Sequence, residues 1–200
     1  MQSSLPRRTT LARLSLSVVL LSAALVVDGC DRSGNRYANR AYQTAAVKGR
    51  AAALAELQAE FTNGRLRLDD ALTLALDRLD ENQDCTAFAG AVLDLADGVT
   101  DESDKAGDYE LFWMRVGRLA FKSADMAMSK GRLAEARALV FAKPDRWQTQ
   151  AYWERYADHD ALAAIILANN GEQAEAIRRL RSRVELKPPA DEVLRRLEGK

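Results

Sequence analysis

Apolar side chains recur at steps of three and four along most of this chain, and each change of phase marks a new helix. The cleanest run is Leu68, Ala71, Leu72, Ala75, Leu76 and Leu79. It predicts one amphipathic helix with Asp69, Asp70, Asp77 and Asp80 on its outer face. Ahead of it, Tyr42, Ala46, Ala53, Leu57 and Phe61 predict a single alanine-rich helix from about Arg40 to Asn63-Gly64, where the glycine suits a left-handed stop. Phe88, Ala91, Val92 and Leu95 mark a third helix ending at Gly98. Phe112, Val116, Leu119, Ala120 and Ala127 mark a fourth, ended by Lys130-Gly131. Leu162, Ile165 and Ile166 then predict a helix that stops at Asn169-Asn170-Gly171. Ala174, Ala176, Ile177, Leu180 and Val184 predict its partner, which stops at Pro188-Pro189, and Val193, Leu194 and Leu197 form a terminal capping helix.

Two amphipathic helices joined by a few residues must lie back to back, because only an antiparallel pair buries both stripes. The expected fold is therefore all-α, built from stacked antiparallel helical hairpins. Composition agrees: the chain has 200 residues, 48% hydrophobic and 29% charged, which suits a globular domain, and only 4 prolines interrupt it. The formal net charge is zero, so nucleic acid is not an expected partner. That zero hides an acidic middle, since residues 66–110 carry 13 acidic against 3 basic side chains. Solvated helix faces and loops account for it.

Little in the chain announces catalysis. The one histidine, His159, is flanked by Asp158 and Asp160, which are placed to cap the start of a helix. Asp101, Glu102, Asp104 and Asp108 lie in the loop from Gly98 to Asp108, but their spacing is wrong for a calcium loop. Two cysteines cannot make a zinc site, and Cys85 beside Asp84 reads as a small half-buried residue rather than a reactive thiol. No phosphate-binding glycine loop or nucleophile elbow is present. No catalytic residue, metal or cofactor is expected. The candidates for a working surface are Trp147, Tyr152, Trp153 and Tyr156, in a short helix or turn before Asp160, because Trp and Tyr are common partner anchors. Arg178, Arg179, Arg181 and Arg183 spread around their helix and are expected to be mostly solvated.

The order Gly171, Ala176, Leu180, Pro188 resembles the second half of a tetratricopeptide repeat, in which a small residue closes the turn, an alanine lets two helices touch and a proline ends the unit. Gly131, Ala136 and Val140 repeat that order 40 residues earlier, against a repeat period of roughly 34. The resemblance implies a scaffold that binds a protein or peptide, as assembly lipoproteins do. The alternative is an envelope hydrolase or its helical accessory domain.

The N-terminus supplies an address. Arg7, Arg8 and Arg13 precede an apolar run from Leu14 to Val27, about 14 residues, which has the build of a secretory signal peptide and is short of the roughly 20 that span a bilayer. Val27-Asp28-Gly29-Cys30 resembles the bacterial lipobox, from which Asp28 departs. That resemblance implies a signal peptide over 1–29, a lipidated Cys30 with a polar tether over 30–39, and a helical-repeat domain over 40–200. The protein is then expected on the periplasmic side of a bacterial membrane, held by lipid. Asp31, directly after the lipidated cysteine, resembles an inner-membrane retention signal.

Overall fold

The computed structural model describes residues 33–98, 109–141, 157–183 and 185–199. The chain divides into two units, Met1–Arg32 and Ser33–Lys200, and every described helix belongs to the second. Among the described residues all regular structure is helical: α1 (Ser33–Lys48), α2 (Arg50–Thr62), α3 (Leu68–Asp80), α4 (Thr86–Asp97), α5 (Tyr109–Ser129), α6 (Leu133–Phe141), α7 (Ala157–Asn169), α8 (Gln173–Arg181) and α9 (Ala190–Leu197). The expected all-α fold is what the chain adopts.

Each helix packs on those near it in sequence. The first, α1, touches α2, α3 and α4; α2 touches α4; α3 and α4 touch each other and α5. Farther along, α5 touches α6 and α7, α6 touches α7, α7 touches α8 and α9, and α8 touches α9. Most consecutive helices therefore bury their stripes on one another, whereas α2 packs on α1 and α4, and α3 on α1, α4 and α5. The most enclosed is α4, covered by α1, α2, α3 and α5, with Phe88, Ala89, Gly90, Ala91, Val92, Leu93, Leu95 and Ala96 all buried. A Cβ at its Gly90 would lie 2.9 Å from the Arg50 side chain, which forks onto Asp94 at 2.7 and 2.6 Å and ties α2 to α4, so a larger residue there would have to displace that arginine.

The one long helix expected from Arg40 to Asn63 is two helices. Gly49, at φ 83°, breaks it. Alanines on several faces let the stripe be read in the wrong phase: Ala38, Ala41 and Ala45 point inward, while Ala46 is exposed. The polar stretch from Ser33 to Asn39, expected as part of a tether, is the first half of α1.

Three helix stops expected at glycine are made as expected. Gly64, Gly131 and Gly171 have φ values of 68°, 73° and 82°, a left-handed conformation that costs other residues. At each, the next amide returns to a carbonyl five residues back: Arg65 N to Glu60 O (3.0 Å), Arg132 N to Ala127 O (2.9 Å) and Glu172 N to Leu167 O (2.9 Å). Asn82 does the same at the end of α3, with φ 58° and Gln83 N on Arg78 O at 2.8 Å. Asparagine tolerates this region well enough to replace glycine there. Ala136 and Ala176 are fully buried and Leu180 is 2% exposed, so these small and aliphatic positions lie where helices meet. Pro188 differs from expectation. The eighth helix already ends at Arg181, and Pro188 is exposed in the turn that opens α9.

Candidate partner-binding surface

Trp147, Tyr152, Trp153 and Tyr156 lie outside the described residues. The described residues on either side of that segment are Phe141 at the end of α6 and Ala157 at the start of α7. Around these points the chain assembles a cluster of arginines, carboxylates and rings.

Phe141 is partly buried, and the guanidinium carbons of Arg137 and Arg179 lie 5.9 and 5.2 Å from its ring centroid. A cation over an aromatic face is attracted by the ring quadrupole, most where water is excluded. Arg137 also forks onto Glu172 in the α7–α8 turn, with Nη2 at 2.9 Å and Nε bonding the second oxygen. That pairing holds the Glu172 carboxyl below its ordinary range. Arg183 forks onto Asp160 at 3.1 and 2.7 Å. Asp160 is 8% exposed, and burial lifts its carboxyl above the ordinary range in spite of Arg183. Burial also lowers Arg179, helped by the like charge of Arg183.

Two sequence expectations are corrected here. Asp160 is a buried ion-pair partner and not a helix cap, since α7 begins at Ala157. Of the four arginines near 180, Arg178 and Arg181 are exposed as expected and pair with Glu175 and Glu198 at the surface, whereas Arg179 and Arg183 are half-buried, Arg179 over Phe141 and Arg183 on Asp160. His159 stacks flat on Phe121, ring centroids 4.2 Å apart and planes within 3°. The helical wheel of α8 shows the Arg178–Glu175 pair but not the other two, because Asp160 lies on α7 and Glu198 directly follows α9.

Two aspartates of the acidic face of α3, Asp69 and Asp80, are also paired. Arg115 bonds Asp69 and, at 2.6 Å, the Thr73 hydroxyl; Arg118 reaches Asp80 at 3.2 Å, and Lys122 bonds Asp80 as well. The spacing Arg115, Arg118, Lys122 puts one stripe of cations on α5, a signal that matched the α3 aspartates in the sequence. At the start of α4, Arg132 bonds Asp84 at 2.7 Å and Thr86 at 2.9 Å, joining the α5–α6 turn to α4. Burial raises the Asp84 carboxyl, but Arg132 and Thr86 together outweigh it and hold it below its usual range. A lowered carboxylate stabilises above its unfolded pKa and loses that contribution as pH falls through the folded value. Asp84→Asn is expected to cost only about 0.5 kcal/mol at neutral pH, because exposed pairs are screened, its side chain being 40% exposed. The difference from wild type should vanish by about pH 2, as denaturant unfolding at the two pH values will check.

Cys85 is 4% exposed, donates to Ala75 O at 3.6 Å, and is pushed up to about 12 by burial and by Asp84. A thiol so protonated is a poor nucleophile and metal ligand. Among the described residues, no three His, Cys, Asp or Glu side chains are grouped as a metal would require, and no helix is long and apolar enough to cross a membrane. The acidic residues Asp101, Glu102, Asp104 and Asp108, the expected cap Asp158, and the lipobox-like stretch with Cys30 fall where no side chain is described. No protein-family model, curated protein or solved structure matches the chain.

Proposed function

We propose that the protein is a non-catalytic scaffold of tetratricopeptide type, tethered by lipid at Cys30 to the periplasmic side of a bacterial membrane, where it binds a protein or peptide partner in envelope assembly, secretion or polymer export. The observation that carries the scaffold reading is the packing order, in which each described helix packs on helices near it in sequence, with Ala136 and Ala176 fully buried five residues after the left-handed Gly131 and Gly171. Such a stack offers an extended surface without a deep catalytic cleft. The tether rests on the run from Leu14 to Cys30. The partner-binding residues are Trp147, Tyr152, Trp153 and Tyr156, which follow Phe141 in the sequence. Inner-membrane retention follows from Asp31.

The test is intact mass analysis of the full chain extracted from membranes after gentle crosslinking. Wild type should begin at an acylated Cys30, and Cys30→Ala should lose the acyl mass and leave the lipid-anchored fraction. A co-isolated envelope protein, lost on replacing Trp153 and Tyr156 by alanine, would identify the partner. An unmodified Cys30 in the membrane-extracted protein would remove the tether, and turnover of an envelope polymer would favour the hydrolase.

A further inference from the structure

The chain reverses on itself at Gly49. Thr44 Oγ1 donates to Glu56 at 2.6 Å, and Arg40 bonds Glu56 and, at 2.6 Å, Glu60, so α2 runs back along α1 toward its start. The turn between α2 and α3 therefore returns to the first turns of α1, where Arg65 lies over Tyr37.

Four exposed arginines stand on that edge, Arg36 and Arg40 from α1 and Arg65 and Arg67 from the turn. The guanidinium carbons of Arg36, Arg40 and Arg65 lie 5.3, 5.6 and 5.8 Å from the ring centroid of Tyr37, which packs on the core beneath them. Leu66 is 2% exposed and the backbone at Arg67 is extended, so Arg65 and Arg67 face outward on either side of it. Two carboxylates answer this charge: Glu56, bonded by Arg40, and Glu60, which Arg65 approaches to 2.9 Å. At the start of α3, Asp69 is taken by Arg115 of α5. With half-buried Asp70 counted in, the four arginines still outnumber the carboxylates Glu56, Glu60 and Asp70.

The length of chain ahead of α1 decides what this edge faces. The helix begins at Ser33, three residues after Cys30, and three residues reach at most about 11 Å when fully extended. Arg36 lies only about 4.5 Å farther along the axis. An acylated Cys30 thus confines it to about two Debye lengths from the headgroups at physiological salt. Lys48, at the other end of α1, is about 22 Å from Ser33.

Resting on the reading that Cys30 carries lipid, we propose that Arg36, Arg40, Arg65 and Arg67, with Tyr37, dock this edge on the anionic phospholipid headgroups of the membrane that holds the anchor. Guanidinium bonds phosphate through a planar fork, and tyrosine favours the headgroup layer. Acylation alone leaves the domain free to swing about its anchor. The arginines fix one edge downward and turn the Lys48 end of α1 away from the bilayer.

The test uses the full chain extracted from membranes and reconstituted in vesicles of phosphatidylcholine, alone or with about one-third phosphatidylglycerol. A thiol-reactive dye is placed at Asn63→Cys, beside the arginines, or at Lys48→Cys, and its quenching by spin-labelled headgroups is measured. Cys85, being buried, does not compete for the dye. The dye at Asn63→Cys should be quenched strongly on anionic vesicles and weakly on neutral ones, and the dye at Lys48→Cys weakly on both. Replacing Arg36 and Arg67 together by glutamine should lower the docked population roughly 30-fold while the protein stays on the vesicles. Equal quenching on the two vesicles, equal quenching of the two dyes, or wild-type quenching in the double variant overturns the docking and leaves the anchor standing. Release of the wild type from neutral vesicles removes the anchor, and this inference with it.

Discussion

Phe88→Ala is expected to lower the unfolding free energy by about 4 kcal/mol, the upper range for a large-to-small core change. Phe88 is fully buried on α4 and meets Tyr42 edge-on, ring centroids 5.6 Å apart at 80°. Four helices cover α4, so the ring cannot be replaced by the inward movement of any one of them, and a cavity remains. Against a typical total of 5–15 kcal/mol, the variant keeps little in reserve. Its melting temperature should fall by roughly 12 °C. Urea unfolding followed by circular dichroism measures the difference directly; a loss below about 1 kcal/mol would mean that the helices around α4 close the gap.

Ala136→Leu is the second large effect, at about 3 kcal/mol of destabilisation. Ala136 is fully buried on α6, which packs against α5 and α7, so the added carbons have no space without moving a helix. Ala134, two residues earlier, is exposed. Ala134→Leu makes the same chemical change on the outer face and should stay within about 0.5 kcal/mol of wild type. The pair of variants separates close packing from helix propensity, which is nearly equal for alanine and leucine. Equal thermal stability of the two would exclude a tight contact at 136.

Much of the architecture was legible in the chain because its signals are local. The stripe from Leu68 to Leu79 became α3, bounded as its pattern required, and Gly64, Gly131 and Gly171 became left-handed turns since few other residues take that conformation cheaply. Where alanine filled several faces, as around Gly49, periodicity could not choose a phase, and one expected helix became two. Asn82 ended α3 without a glycine to announce it.

The candidate surface divides in the same way. Helix period, turn chemistry and the lipobox-like stretch at Cys30 are properties of neighbours along the chain, and the sequence by itself determined the all-α class and most helix ends. Only the tertiary structure decided which charges meet, because Asp160 with Arg183, Asp69 with Arg115, and Asp84 with Arg132 are brought together by different helices and turns. It also decided that the apolar residues separate into two cores, since the division follows from which faces of α7 are covered and by what. Burial and ion pairing depend on the three-dimensional partner, and a one-dimensional pattern carries the face a residue occupies without the identity of what lies opposite.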